Sequence, residues 1–367
     1  MGAVLAPPQR EWYTVSKKEG GGFVIKTVAV VSLSAGTLGE SFARHELDIG
    51  LRRLEKYGLR VKLAPHALAG IEHLKNHPED RAADLLWALH DTETDMILCA
   101  IGGDDTYRLA PFLFENDALR SAAAGSGKVF LGFSDTTVNH MMLHKVGMNT
   151  FYGQSFLSDV CELDTEMLPY TRRYFEELLQ TGRIREVTPS DVWYEARTDF
   201  GESRVGTPNP SHPDGGFVLL QGAARFSGKI LGGCIDTLFD FFDGGRYADM
   251  PEVCQTYGLF PPAEDWAGKI LLLESSEEYM PPEKYRQALR HFKAAGVFAA
   301  VSGVLVGKPM NGVYESEYFS ALREEIADPA LPVMCNVNIG HALPRCILPF
   351  GVEAHVDAEK QKITFAW

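Results

Sequence analysis

Short apolar runs and amphipathic stretches follow one another along most of the chain. Residues 24–32 are a β-branched apolar run stopped by Ser34-Ala35-Gly36, which predicts a buried strand entering a turn. Residues 41–56 place Phe42, His45, Ile49 and Leu54 on or near one face with Gly58 just beyond, which predicts a helix. A short strand is expected over 60–63, a helix over 82–90, and a strand over 95–101 that runs into Gly102-Gly103. Residues 129–133 read as another strand, and Val138, Met141, Met142 and Val146 have helical spacing closed by Gly147. Strands alternating with helices predict a parallel sheet covered on its faces.

The alternation weakens over 169–216, which holds Pro189, Pro208, Pro210 and Pro213, several glycines and many charges. Such a stretch predicts a junction between two domains. Beyond it, 229–231, 269–273, 301–306 and 333–337 predict a second set of buried strands, with a helix over 286–295. At 367 residues the chain exceeds the size at which a single core stops growing. The expected division is a leader over 1–23, a first domain over 24–168, a linking region over 169–216 and a second domain over 217–367.

Composition narrows the function classes. A formal net charge of −14 speaks against a nucleic-acid polymer as partner, because phosphate contacts need clustered Lys and Arg. The six cysteines include no Cys-x-x-Cys pair and read as reduced core thiols, with no zinc or redox motif. No run approaches the roughly 18 apolar residues of a membrane helix, and residues 1–8 do not read as a secretory signal. The expectation is a cytoplasmic protein with no membrane partner.

Candidate chemistry lies just past the strands. Ser134, in Gly132-Phe-Ser-Asp-Thr-Thr, sits where strand passes into helix, a position that exposes its oxygen at the top of a sheet beside a helix N-terminus. Thr136 stands where an α/β-hydrolase elbow would have its second Gly, so that fold is not matched. Ser and Asp before an apolar helix are also ordinary N-caps. Two further residues favour catalysis. Glu274 ends the run Ile270-Leu-Leu-Leu, apolar enough to be buried on both faces, and a carboxylate there lies where open α/β sheets place ligands. His341 follows another buried run, in Gly340-His-Ala-Leu-Pro. Together they supply nucleophile, acid and base in the order serine, acid, histidine. The backbone N–H of Asp135, and one from Gly102-Gly103, are natural donors to a developing oxyanion. No Walker loop is present.

These motifs carry a resemblance. Gly102-Gly-Asp-Asp, Gly132-Phe-Ser-Asp-Thr-Thr, Gly232-Gly-Cys, Leu271-Leu-Leu-Glu, Val306-Gly-Lys-Pro and Gly340-His with Pro344 behind it, in that order, resemble the serine peptidases that comprise LD-carboxypeptidases and microcin C self-immunity peptidases. The resemblance runs from about residue 24 to the C-terminus. It implies an α/β protein, with an N-terminal Rossmann-like parallel-sheet domain carrying the serine and a C-terminal swivelling β/α domain carrying Glu and His. It places the nucleophile on Ser134, the acid on Glu274, the base on His341 and the oxyanion donors on Gly103 and Asp135. It further implies a homodimer and no metal or other cofactor. Murein LD-carboxypeptidases typically have Arg before the Gly pair and Tyr-Gly after it. Here Ile101 and Asp104-Asp105 stand there, which leans towards the immunity-type branch, whose substrates are aminoacyl- or peptidyl-nucleotide conjugates. Trp193 matches that branch's base-stacking aromatic, while Gln154 departs from an expected Pro.

Lys308, in Gly307-Lys-Pro, is a candidate for an anionic substrate group. His140 and His144 share a helix face but lack the Glu a zincin would place after the first His. The rival from another class is a non-catalytic nucleotide- or peptide-binding protein.

Overall fold

The computed structural model describes residues 24–367; the expected leader over 1–23 lies outside the described residues. The first half supplies five strands, β1 (Thr27–Val31), β2 (Arg60–Leu63), β3 (Met96–Cys99), β4 (Val129–Gly132) and β5 (Thr150–Tyr152). All of them pair in parallel, in the spatial order β5-β4-β3-β1-β2. Every residue of β1, β3 and β4 is buried, as a central strand covered on both faces requires. Helices Arg44–Lys56, Pro78–His90 and Thr137–Lys145 connect them, so the carboxyl ends of β1, β3 and β4 lie side by side. Open α/β sheets hold their ligands at that edge.

The rest of the chain contributes β6 (Glu186–Val187), β7 (Val192–Tyr194), β8 (Ser211–Pro213), β9 (Val218–Gln221), β10 (Arg225–Cys234), β11 (Ile270–Glu274), β12 (Gly303–Gly307), β13 (Val333–Val337), β14 (Leu348–Phe350), β15 (Glu353–Asp357) and β16 (Lys362–Ala366). A second sheet runs β6-β16-β15-β10-β11-β12-β13-β9. Its middle, β10 to β13, is parallel, and antiparallel strands flank it. Glu274 closes β11 directly opposite Cys234 of β10. The expected α/β architecture is present, and each sheet has a core of parallel strands.

Three elements add to that expectation. Residues 169–216 are not uniformly irregular, because they begin with the helix Pro169–Thr181, whose Tyr174, Phe175, Leu178 and Leu179 are buried. The same region ends in a two-stranded ribbon of β7 and β8, tied to the second half by Tyr194 N–H donating to Leu343 O at 2.9 Å. Finally, β14 leaves its neighbours in sequence and pairs antiparallel with β5, so the first sheet has a sixth strand from the far end of the chain. Pro349 is tolerated there because β14 is an edge strand with one unpaired side.

Candidate active site

Ser134 follows β4 with φ of +65°, a left-handed conformation uncommon for a residue with a side chain. Such outliers persist only where the surroundings over-determine them. Here the turn is pressed between the 102–103 loop and the helix Thr137–Lys145. A Cβ on Gly102 would lie 2.6 Å from Ser134 Cβ and 2.7 Å from its Oγ, so only glycine lets that loop come so close. Neither Ser134 nor Asp135 caps the following helix with its side chain. The Asp135 carboxylate accepts instead from Ser34 Oγ at 2.6 Å and Thr106 N–H at 2.9 Å, which ties the turns after β1, β3 and β4 together. Burial pushes Asp135 up to about 6, against those two hydrogen bonds.

The second half brings its candidates to the same place. His341 Nε2 lies 3.0 Å from Ser134 Oγ, and its Nδ1–H donates to Glu274 Oε2 at 2.7 Å. In the neutral ring that second bond selects the tautomer whose Nε2 can accept from the serine hydroxyl. Glu274 Oε2 also accepts from the His341 backbone N–H at 3.2 Å. This approach needs Gly340, whose φ is +87° and where a Cβ would lie 2.3 Å from Glu274 Oε2. Burial alone would lower the His341 pKa; Glu274, and after it Glu277, outweigh it, so the ring is held above its ordinary 6.5. Ser134, Glu274 and His341, 207 residues apart at their extremes, thus form one hydrogen-bonded series. Gly103 and Asp135 flank the hydroxyl, lining with Ser134 the same small cavity.

Gln154 and three residues that the sequence reading does not single out, Tyr152, Arg345 and Glu277, complete the surroundings. Tyr152 of β5 donates to Glu274 Oε1 at 2.6 Å while its oxygen accepts from Ser134 N–H at 3.2 Å, joining the Glu274 carboxylate to the Ser134 backbone. Burial, then the neighbouring Glu274 charge, pushes its hydroxyl well above the usual range, so it stays a donor. Arg345 is buried, with its guanidinium 4.5 Å from the centre of the Phe133 ring and Nη2 donating to His341 O at 3.3 Å. Gln154 stands behind it, its amide donating to Arg345 O at 3.1 Å and Thr171 O at 2.9 Å. Glu277 Oε2 lies 3.1 Å from His341 Nε2. Arg345, two residues after the Gly-His motif's Leu343, and Tyr152, in a buried strand beside Gly153, had no local pattern marking them.

Tyr152→Phe keeps the ring and removes one donor from a buried carboxylate, a loss of about 1–3 kcal/mol. The expected result is a drop in kcat of about tenfold or more with KM little changed, checked by steady-state kinetics on the folded variant.

A cavity of about 680 Å³ opens on Ser134 and His341. Phe42, Phe133, Phe200, Leu343 and Met310 line it, and so do Arg345 and Arg197. Asn209 also lines it, and its Nδ2 is buried without a hydrogen-bond partner. Trp193 and Lys308 are not among the lining residues. Trp193, on β7, stacks on His212 of β8 with ring centroids 4.5 Å apart. Lys308 Nζ lies 3.0 Å from Oδ1 of Asp214, whose side chain is fully buried, an ion pair that fastens the end of the ribbon region to the second sheet. That pairing gives Lys308 a structural partner in place of the anionic substrate group expected for it.

Among the described residues, Cys234, Glu274 and His341 offer donor atoms within 4.8 Å of one another, the one such group for a metal. Burial raises the Cys234 thiol well above its ordinary range, and Glu274 and His341 already bond each other. A ligating thiol must be ionised, so this set favours hydrogen bonding over coordination. His140 is buried, lies 2.7 Å from Thr150 Oγ1 and 3.2 Å from Gly132 O, and is pushed down to about 3 by burial, which makes it a neutral core residue. All six cysteines are free and buried. Among the described residues no helix is long and apolar enough to cross a membrane.

An α/β scaffold that brings hydroxyl, imidazole and carboxylate into series beside a cavity has the constellation of serine hydrolases. The chain belongs to the LD-carboxypeptidase family, and is thereby a serine peptidase: the family's N-terminal domain matches residues 28–153 and its C-terminal domain residues 227–356. It is 24% identical to the microcin C7 self-immunity protein MccF of Escherichia coli, over 78% of each chain. It is 27% identical to the probable murein peptide carboxypeptidase of Bacillus subtilis, over 87% of this chain and 86% of that one. An MccF-like protein of Streptococcus pneumoniae, solved in complex with AMP, superposes with a TM-score of 0.91 at 56% identity, covering 94% of this chain and 99% of that one. MccF solved with aspartyl sulfamoyl adenosine shares the fold at a TM-score of 0.75 and 21% identity, covering 97% of this chain and 98% of that one.

Proposed function

We propose that the protein hydrolyses an amide bond in aminoacyl- or peptidyl-nucleotide conjugates, with Ser134 as nucleophile, His341 as general base and Glu274 as the acid that orients it. The observation that carries this reading is the unbroken series from Ser134 Oγ through His341 to Glu274, at 3.0 and 2.7 Å. In it, His341 takes the hydroxyl proton as Ser134 attacks the carbonyl carbon, then returns a proton to the leaving amine. Water clears the acyl-enzyme by the same route. The N–H groups of Gly103 and Asp135 stabilise the oxyanion. Ser134 comes from the first half of the chain and the base and acid from the second, so the reaction runs where the two halves meet.

The substrate class rests on the cavity. Its aromatic lining suits a planar base, and the unpartnered Asn209 amide suits an acceptor on a bound ligand. The AMP complex of the Streptococcus pneumoniae relative and the aminoacyl-nucleotide analogue bound by MccF support the same class. Trp193 belongs to this reading as a base-stacking residue on a ribbon that meets the cavity wall at Leu343. A cytoplasmic homodimer is also part of it, as is catalysis without a metal. Cleavage of a murein tetrapeptide is the second reading, favoured by the likeness to the Bacillus subtilis carboxypeptidase.

Offering both substrates in parallel separates the two. Wild type is expected to cleave an aminoacyl sulfamoyl adenosine faster than the murein tetrapeptide. A base–indole stack is worth roughly 1–3 kcal/mol, so Trp193→Ala should lower kcat/KM for the nucleotide conjugate by about one to two powers of ten. Simple peptides should be spared. Faster cleavage of the tetrapeptide by wild type would put the protein in the murein branch.

A further inference from the structure

A second cavity, of about 30 Å³, meets the first at Ser134. Asp104, Asp236, Asp240, Glu277 and Glu278 line it, and Arg246 is the cation among its lining residues. Arg246 is already engaged, 3.2 Å from Asp240, 2.5 Å from Glu278 and 3.8 Å from Asp104. Asp236 accepts from Ser276 N–H at 2.9 Å. Of these carboxylates, Glu277 is the one within ion-pair distance of the catalytic ring. Its Oε2 lies 3.1 Å from His341 Nε2, the same nitrogen that faces Ser134 Oγ at 3.0 Å.

That contact has a chemical consequence. With Glu274 at Nδ1 and Glu277 at Nε2, a carboxylate stands against each ring nitrogen, an arrangement that favours the imidazolium. An imidazolium has no lone pair to receive the serine proton. The other groups facing the ring are the Phe133 edge, the Arg345 guanidinium on the His341 carbonyl, Cys234 at the end of β10, and Asp236 in the helix that follows it. The charged ones, Glu274, Asp236 and Arg345, are buried and held, whereas the Glu277 side chain is 63% exposed and free to turn. Glu277 also lines both cavities.

We propose that Glu277 is a gate worked by the substrate: it salt-bridges His341 Nε2 in the empty site, and an ammonium group on the acyl side of the substrate draws its carboxylate away into the small cavity. The imidazolium then gives its Nε2 proton to water, the ammonium keeps its own protons, and Glu277 stays ionised throughout. The neutral ring is left to Ser134 alone. The inference rests on the catalytic reading of Ser134 and His341 and deepens it by preferring, of the aminoacyl and peptidyl conjugates, the aminoacyl ones, whose α-amine is free. An α-amine is two bonds from the carbonyl carbon, so presenting that carbon to Ser134 Oγ brings the ammonium to the small cavity. A cavity of this size holds one such small group. The surplus of carboxylates over the single, already paired Arg246 favours a cation there.

The test uses the full chain and has two arms. In the free enzyme, the His341 titration followed by NMR should move to lower pH in Glu277→Gln, because one of the two carboxylates that favour the imidazolium is gone. An unchanged midpoint overturns the gate. In turnover, alanyl sulfamoyl adenosine is compared with its N-acetyl form. Wild type should favour the free amine by about tenfold, and Glu277→Gln should lose that preference while moving the acidic limb for the N-acetyl substrate to lower pH. Equal loss on both substrates with no movement of the limb would show a merely structural role. Ser134→Ala, run alongside, separates the two failures. If it is inactive while Glu277→Gln behaves as wild type, the gate falls and the catalytic reading stands. If Ser134→Ala still turns over, the catalytic reading falls too.

Discussion

Ser134→Ala is expected to lower kcat by about four to six powers of ten on any substrate the enzyme cleaves, with the fold intact. At 1.36 kcal/mol for each tenfold, that is about 5–8 kcal/mol of lost transition-state stabilisation. The size follows from geometry, since the hydroxyl is the group presented to His341 Nε2 and the 102–103 loop is packed against it with no side chain between. His341→Ala should cost about as much, and the double variant little more, because nucleophile and base act as a unit. The pH profile has a definite sign. The base must be neutral to accept the proton, and the ring pKa is held above 6.5 by Glu274 and Glu277 against burial. The acidic limb of kcat/KM should therefore lie above 6.5 and fall about tenfold for each unit below it. A limb well below 6.5 would mean that His341 is not the titrating base.

The second large effect is on stability. The Arg81 side chain is fully buried on the helix Pro78–His90, and its Nη1 donates to Asp105 Oδ1 at 2.5 Å and to Ser34 O at 3.2 Å. It therefore fastens the turn after β1 to the loop that carries Gly102 and Gly103. Arg81→Met removes the cation and leaves the Asp105 carboxylate buried beside empty carbonyls. Breaking a buried pair in this way costs about 3–5 kcal/mol. The unfolding midpoint in guanidinium should fall accordingly, and adding Asp105→Asn should restore part of the loss because the stranded charge is gone. A midpoint within about 1 kcal/mol of wild type would show that Arg108, 3.9 Å from Asp105 Oδ2, carries the carboxylate instead.

Local pattern carried some of this and not the rest. β1 and β11 are legible because a run buried on both faces must be apolar throughout. Ser134 is legible as a strand-to-helix turn. Its positive φ is not, since it follows from the loop after β3 pressing on the turn after β4, a contact between segments over thirty residues apart. The helix Pro169–Thr181 was hidden because the prolines that make 169–216 look irregular cluster after Thr181. Tyr152 and Glu277 look like any strand tyrosine and any turn glutamate. Only the placing of β5 beside β4, and of β13 beyond β12 from β11, brings one to Glu274 and the other to His341. β14 was passed over because Leu348-Pro-Phe is short and contains a proline, which an edge position tolerates.

The central claim is that Ser134 is the nucleophile, and intact-mass spectrometry after treatment with a serine-directed fluorophosphonate tests it most directly. The account predicts one adduct per chain, mapped by peptide digestion to Ser134 and absent from Ser134→Ala and His341→Ala. An adduct on another residue, or labelling that survives in Ser134→Ala, would contradict it.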